Sequence, residues 1–171
     1  PASTMFRDRV DAGRQLAALL GQYRDAPDAL VLALPRGGVP VGAEVARALN
    51  LPLDIMVVRK LGLPGHEEYA AGAIAAGGVR VTGEPWADLA PVFEREQREL
   101  ARRERAYRGG RAPCELAGKT VILVDDGLAT GLSMRAAIIA ARSLGAAKVV
   151  AAVPVGEAMA CQALAQPAKA S

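Results

Sequence analysis

The segment VILVDDGLATGLSM, residues 121–134, places an apolar run, two adjacent carboxylates and a loop of small residues directly before a helical pattern. Its first four residues are aliphatic or β-branched without polar alternation, which is typical of a parallel strand covered on both faces. Asp125 and Asp126 would repel each other unless a polyol, a cation or a cationic group faced them. The segment therefore predicts a buried strand that delivers two acids to a ligand.

The residues after the acids predict an anion-binding loop. Small and hydroxyl-bearing residues let backbone N–H groups approach an anion closely, and they occupy most of this loop: Gly127, Ala129, Thr130, Gly131 and Ser133. From Leu132 onward apolar residues recur at helical spacing, so the free N–H groups of a helix would point at the loop and attract phosphate. Thr130 and Ser133 add hydroxyl donors. The alternative interpretation is a plain strand and turn.

This segment resembles the phosphoribosyl-diphosphate (PRPP) binding motif of the type I phosphoribosyltransferases. In that family the paired acids, here Asp125 and Asp126, hold the 2′ and 3′ hydroxyls of the ribose, and the loop from Gly127 to Ser133 holds the 5′-phosphate. The resemblance implies Mg²⁺ as cofactor, held mainly by ligand oxygens and waters. Asp125 and Asp126 would contact the metal only indirectly, through water or PRPP.

A second strand-loop-helix unit carries an arginine. Residues 29–34, ALVLAL, predict an apolar strand, and Pro35, Arg36, Gly37 and Gly38 follow it before another helical pattern. Such a turn is again an anion cradle. The resemblance makes it the pyrophosphate loop, which in the family often has a non-proline cis peptide near the position of Arg36. The alternative interpretation is a strand-to-helix turn with a surface arginine.

A third strand is predicted at residues 54–58, and Arg59 and Lys60 follow it directly. Ligands of open α/β sheets bind at the carboxyl ends of the strands. We therefore expect these two cations to form a diphosphate clamp with the other loops, although the pair alone is also compatible with a solvated strand end.

The next residues concern the acceptor of the reaction. LGLPGHEEYAAGAI, residues 61–74, resembles the mobile active-site loop of the family, and RKLGLPG is similar to its adenine-type branch. That branch has Glu-Tyr-Gly where this chain has AAG, so an acid near the base would be Glu67 or Glu68. Oxopurine enzymes usually place an aspartate, as general base, where this chain has Ala129. The resemblance therefore disfavours an oxopurine substrate.

Residues 93–111 hold seven arginines and four glutamates, and this surplus of three equals the net charge of the whole chain. Glutamate and arginine recur at i, i+4, which predicts a salt-bridged, exposed helix. Phe93, Leu100 and Tyr107 lie on one seam that would dock it. Two alternatives remain open, an arginine donated to the diphosphate on loop closure and an RNA contact through helix 93–108.

The order of predicted elements indicates an α/β fold, with a central parallel sheet, helices on both faces and an inserted mobile loop and helix segment. The expected elements are helix 8–20, strand 29–34, helix 39–49, strand 54–58, an insertion 61–118 with a hairpin and the Arg-rich helix, strand 120–124, helix 132–143, strand 148–153 and helix 157–165. We expect residues 1–171 to form a single domain, since this length suffices for a full core.

Global features restrict the setting. No apolar run approaches 18 residues and no secretory core precedes a cleavage site, so we expect a cytoplasmic protein without membrane contact. The two cysteines, Cys114 and Cys161, and the single histidine, His66, cannot build a cysteine and histidine metal site. We expect both cysteines to be free or buried thiols and His66 to be a solvated loop residue.

The predicted function is transfer of 5-phosphoribosyl from PRPP to a nitrogen nucleophile, expected to be a nucleobase, with release of pyrophosphate. Arg36, Lys60, Asp125 and Asp126 are the predicted catalytic residues, and the expected partners are PRPP, a small-molecule base and a second copy of the chain. A PRPP-sensing or RNA-binding regulator and an inactive module on the same fold are the alternatives. Family members usually continue with another strand and with segments of the base pocket, so we expect an incomplete C-terminus or a variant without them.

Overall fold

The computed structural model describes residues 9–63, 66–82, 90–112, 114–127, 131–155 and 157–162. The helices are α1 (Arg9–Leu19), α2 (Gly38–Leu49), α3 (Ala90–Arg108) and α4 (Leu132–Ser143). The strands are β1 (Ala29–Ala33), β2 (Leu53–Ile55), β3 (Val58–Leu63), β4 (His66–Ala75), β5 (Val79–Thr82), β6 (Thr120–Val124), β7 (Lys148–Val155) and β8 (Glu157–Gln162).

The main sheet has the strand order β2-β1-β6-β7-β8, in which the first four strands are parallel. This confirms the predicted α/β class with a central parallel sheet. Ala33 of β1 pairs with Val124 of β6, and the Leu34 N–H donates to the Val124 carbonyl oxygen at 2.9 Å. The two strands therefore end at the same level. The loops that follow them lie next to each other at the carboxyl end of the parallel strands.

Both faces of the sheet are covered, as the apolar pattern of β6 requires. Val121 and Leu123 face the core that includes α4, whereas Ile122 and Val124 face the core that includes α1 and α2. All four side chains have no solvent exposure. Burial of such side chains contributes about 1.5–3 kcal/mol each, so this strand is a stable base for the acids that follow it.

The predicted insertion forms a second layer. Strands β3, β4 and β5 make an antiparallel sheet that packs against α4, and α3 docks on it through Phe93 and Leu100. The hairpin and the Arg-rich helix of the prediction are therefore present, with β5 as an additional strand. Tyr107, the third residue of the predicted seam, is 39% exposed and lies outside the core, so the seam spans less of the helix than its spacing predicted.

Two predicted elements are wrong. A helix was predicted at 157–165, but over residues 157–162 β8 runs antiparallel to β7, with Ala152 paired to Ala160. Residues 163–165 lie outside the described part of the chain. Alanine-rich composition favours a helix locally, but the open edge of β7 offers hydrogen bonds that outweigh this preference. The strand predicted at 54–58 is divided between β2 and β3, because the chain leaves the main sheet after the Met56 N–H donates to Ala33.

The backbone of His66 lies at the start of β4 rather than in the predicted loop. Cys114 is a free, exposed thiol, as predicted. Within the described ranges, no helix combines the length and the apolar character needed to span a membrane.

Candidate active site

A cleft of about 440 Å³ opens where the loops that follow β1 and β6 meet strand β3. Its lining residues are Leu34, Pro35, Arg36, Gly37, Val58, Lys60, Asp125, Asp126, Gly127 and Ser133. The structure thus brings together residues from all three segments that the sequence singled out. Ala129 and Thr130, which were also predicted to bind PRPP, lie outside the described residues.

The two acids lie in different environments. Asp125 is partly buried, and the Asp126 N–H donates to its Oδ1 at 2.8 Å. Burial raises the pKa of Asp125 to about 6, the neighbouring Asp126 carboxylate contributes to the rise, and Lys60 opposes it. Asp126 is exposed, and its Oδ2 accepts a hydrogen bond from Arg9 at 3.2 Å. A carboxylate at the rim of a cleft with an oxygen left free by its own chain is suited to accept hydrogen bonds from a ligand.

The pyrophosphate-loop candidate packs closely against the segment of the acids, so that Gly38 has no room for a Cβ beside the backbone and a Cβ at Gly37 would have to displace the Asp126 side chain. A Cβ on Gly37 would lie 1.9 Å from Asp126 Oδ2, and one on Gly38 would lie 2.6 Å from the Val124 carbonyl oxygen. The Pro35–Arg36 peptide is cis, which agrees with the isomer that the family resemblance implied. The Gly38 N–H donates to the Leu34 carbonyl oxygen at 2.9 Å and so closes the turn. Binding of an anion by this amide would therefore require that hydrogen bond to open.

The second loop precedes α4. Gly131 has φ of 79° and forms the N-cap of this helix, a left-handed conformation that glycine adopts at low cost. Ser133, in the first turn, lines the cleft. The helix N-terminus and its hydroxyl therefore face the same space as the two acids, as an anion site requires.

Only one of the two cations after the third predicted strand belongs to the cleft. Lys60 lines it, whereas Arg59 Nε lies 2.6 Å from Glu96 Oε2 on α3. The expectation that both form a diphosphate clamp is thus wrong for Arg59. Neighbouring residues of a strand point to opposite faces, so Arg59 connects the small sheet to α3 while Lys60 faces the cleft.

The Arg-rich helix is largely paired with acids of this chain. Glu99 binds Arg103 and Glu104 binds Arg108, as predicted for i, i+4 pairs, and Arg102 also binds Glu99. Arg95 lies 3.8 Å from Glu96. This arrangement favours the salt-bridged helix over a free RNA-binding surface.

Arg108 forms a contact that the sequence pattern did not indicate. Its Nη1 lies 2.8 Å from both carboxylate oxygens of Asp54 in β2, and Asp54 also accepts hydrogen bonds from the N–H groups of Ile55 and Cys114. Burial alone would raise the pKa of Asp54, but the hydrogen bonds from Arg108 and the backbone lower it below its usual value. Arg108 therefore holds the helix to the main sheet rather than serving the cleft.

Arg9 is the cleft-edge residue that sequence reasoning missed. It lies in the first turn of α1, 117 positions before its partner Asp126. No local pattern marks such a long-range pair, because an arginine at a helix start is ordinary on any exposed helix.

The tripeptide Gly118-Lys119-Thr120 matches the last three residues of the nucleotide P-loop motif. The first glycine of that motif is missing, since position 113 is proline. The tripeptide also leads into β6, whereas the acids follow β6. It therefore lies at the amino end of the parallel strands, whereas the cleft lies at their carboxyl end.

The carboxylates of the cleft meet only part of what Mg²⁺ needs, since this ion prefers oxygen ligands and retains several waters. Among the residues that the structure describes, no group of three or more histidine, cysteine, aspartate or glutamate side chains is placed to hold a metal. Asp125 and Asp126 supply carboxylate oxygens alone. This set fits an ion held chiefly by ligand oxygens and waters, with the two acids in supporting contact.

Related sequences identify the family. A family model described as the phosphoribosyl transferase domain matches residues 7–166, so the chain belongs to the phosphoribosyl transferase family. A protein of Mycobacterium tuberculosis strain H37Rv that is named as a phosphoribosyl transferase is 49% identical to this chain over 160 residues. A protein of strain CDC 1551 with a similar name has the same identity over the same length. The alignment covers 89% of this chain and 36% of those proteins. The chain therefore spans about a third of the length of these relatives.

Solved structures support the fold. The crystal structure of TT1426 from Thermus thermophilus is 42% identical and has a TM-score of 0.67, covering 86% of this chain and 74% of that one. A purine phosphoribosyltransferase from Pyrococcus horikoshii is 20% identical with a TM-score of 0.52, covering 87% and 73% of the two chains. At that identity the likeness concerns the fold alone, which is that of the type I phosphoribosyltransferases.

Proposed function

We propose that this chain binds PRPP and transfers its 5-phosphoribosyl group to a nitrogen nucleophile, in our interpretation a nucleobase, with release of pyrophosphate. The observation that carries the proposal is the cleft itself. It combines a pair of carboxylates, a glycine loop with an arginine, a lysine from the small sheet and a helix N-terminus. These groups match a ligand with a ribose between two phosphate-bearing ends.

The ribose and 5′-phosphate are assigned to the β6 side of the cleft. Asp125 and Asp126 accept hydrogen bonds from the 2′ and 3′ hydroxyls, since ionised carboxylates are acceptors only. The 5′-phosphate binds at the N-terminus of α4, where Gly127, Gly131 and Ser133 keep the backbone accessible and Ala129 and Thr130 complete the loop. Charge-assisted hydrogen bonds of about 1.5–3 kcal/mol each outweigh the helix dipole in this affinity.

The diphosphate is assigned to the opposite wall. Arg36, Lys60 and the amide of Gly37 stabilise the negative charge that develops on the leaving group as the C1–O bond breaks. The amide of Gly38 joins them once its hydrogen bond to the Leu34 carbonyl oxygen opens. The ribose C1 acquires oxocarbenium character in such a displacement. With the ribose held at two hydroxyls, C1 stays aligned between the nucleophile and the leaving group. Bound Mg²⁺ would supply further charge neutralisation at the diphosphate oxygens.

The acceptor enters from the side of residues 61–74. Ala129, in place of the aspartate of oxopurine enzymes, supports an acceptor other than an oxopurine. Either Glu67 or Glu68 is the acid proposed to lie near the base. Assembly as a homodimer is part of the same proposal.

A panel of nucleobases with PRPP and Mg²⁺ tests the function, with pyrophosphate release as the measurement. We expect release with one base or a small group of related bases, and none with PRPP alone. PRPP binding by calorimetry without release for any base would instead support a PRPP-sensing regulator. Absence of PRPP binding would overturn the site assignment as well.

A further inference from the structure

Arg9 contacts the candidate ribose site from a part of the chain that the motifs do not include. Its Nη2 lies 3.2 Å from Asp126 Oδ2, and it is the first residue of α1. The next turns of that helix are anchored in the core, since Ala12 and Leu16 are buried. The start of α1 therefore has a defined place beside the cleft, and its arginine reaches the rim.

The carboxylate of Asp126 is contacted on two sides. The Gly37 backbone lies so close that a Cβ there would meet Asp126 Oδ2 at 1.9 Å. Arg9 donates to the same oxygen, whereas the adjacent Asp125 adds a second negative charge. A carboxylate held at Oδ2 keeps Oδ1 as the acceptor for a ligand hydroxyl.

We propose that Arg9 is a positioning residue for ribose binding: it orients Asp126 through Oδ2 and offsets the repulsion between the two acids. The inference rests on the proposed function, because it concerns the same PRPP site. Arg9 does not touch the ribose in this scheme. Its effect reaches the ligand only through Asp126.

Arg14 provides a matched control on the same helix. Its side chain is 62% exposed against 56% for Arg9, and it pairs with Glu44 at 3.6 Å rather than with the site. Replacing either arginine by glutamine removes one positive charge from α1. A comparison of the two variants therefore separates the Asp126 contact from the general attraction of the protein for an anion.

The test measures PRPP affinity by calorimetry for wild type, Arg9→Gln, Arg9→Lys and Arg14→Gln. Exposed ion pairs contribute modestly, so we expect about fivefold weaker binding for Arg9→Gln than for Arg14→Gln. Arg9→Lys, which keeps the charge and a donor, should recover part of the loss. Thermal unfolding of the two glutamine variants should be similar, because both arginines are exposed and Glu44, the buried partner of Arg14, keeps Arg47 as a second partner.

A second pair of variants decides how Arg9 acts. In an Asp126→Asn background, the change Arg9→Gln should cost no more affinity than Arg14→Gln, since the contact is already altered. A persistent loss there would show direct contact of Arg9 with PRPP and overturn the positioning role. Equal affinities of Arg9→Gln and Arg14→Gln in the wild-type background would also overturn it, with the proposed function intact. A wild-type protein that binds no PRPP would overturn both.

Discussion

Two aspartates, Asp54 in β2 and Asp125 directly after β6, show how the same side chain is used in two ways. Both line a cavity, of about 270 Å³ at Asp54 and about 440 Å³ at Asp125. Asp54 is met by the Arg108 guanidinium and two backbone N–H groups, and its pKa is lowered. Asp125 lies beside a second carboxylate, and its pKa is raised to about 6.

The difference shows which acid is available to a ligand. The hydrogen-bonding capacity of Asp54 is used by its own chain, so the cavity beside it gains no acceptor for a bound molecule. Asp125 is held at an energetic cost that a ligand with hydroxyl donors would relieve. Both aspartates lie beside a cavity, so the cavity does not distinguish them. Their hydrogen-bonding and charged partners do.

The largest expected effect concerns the structural aspartate. Asp54→Ala leaves the Arg108 charge with Glu104 as its remaining acidic partner, and we expect a loss of about 3 kcal/mol in the free energy of unfolding, measured with urea. Glu99→Gln, which alters an exposed pair on the same helix, serves as the control and should cause little change. Equal stability of Asp54→Ala and wild type would remove the structural role of this pair.

The double variant Asp125→Asn with Asp126→Asn should abolish PRPP binding while the domain stays folded. Two charge-assisted hydrogen bonds are lost, which corresponds to about a hundredfold or more in affinity. Calorimetry gives the affinity and circular dichroism the fold. Asp25→Asn with Asp28→Asn makes the same change in charge at a distant turn, where asparagine also suits the positive φ of Asp25, 59°. Unchanged PRPP affinity in the first variant would refute the ribose assignment.

Gly37→Ala tests the contact between the glycine loop and the acids. The added Cβ must displace the Asp126 carboxylate, so we expect about tenfold weaker PRPP binding. Gly21→Ala is the matched control, because a Cβ at Gly21 has no heavy atom within 4 Å. If both variants bind PRPP like wild type, the close approach of loop and carboxylate has no role in affinity.

The smallest expected effect is a gain in stability. The pKa of Asp125 is raised from 3.8 to about 6 in the folded protein. As pH rises, Asp125 of the unfolded chain therefore loses its proton at lower pH than Asp125 of the folded chain, and the free energy of unfolding falls across this pH range. Above this pH range the full loss of stability caused by the partly buried Asp125 carboxylate is present. Since Asp125 retains some solvent access, we expect Asp125→Asn to raise the melting temperature by only about 3 °C at pH 7.5.

Calorimetric melting of Asp125→Asn and wild type at pH 7.5 and pH 4 measures this effect. The difference should shrink at pH 4, where the folded wild-type carboxyl is protonated and the unfolded one is only partly ionised. A lower melting temperature for the variant at pH 7.5 would mean that Asp125 stabilises the fold, and the contrast with Asp54 would no longer hold.

The strand, loop and helix units were predictable because their signals are local. The apolar runs before Pro35 and Asp125 each formed a strand where expected, and most bounds of the confirmed elements agree with the prediction to within two residues. The segment at 157–162 was mispredicted because its state depends on a neighbouring edge rather than on its own composition. The division of residues 54–58 between two sheets has the same origin.

The amino-acid sequence by itself determined the α/β alternation, the paired acids, the glycine loop and Lys60 as groups of one cleft, since each follows a strand with a clear apolar signal. The tertiary structure alone decided which arginines pair with acids that are distant in the sequence. Arg59 pairs with Glu96, Arg108 with Asp54 and Arg9 with Asp126. Charged side chains have no periodic signal for a distant partner, and only the packing of helices and sheets brings the two charges within contact distance.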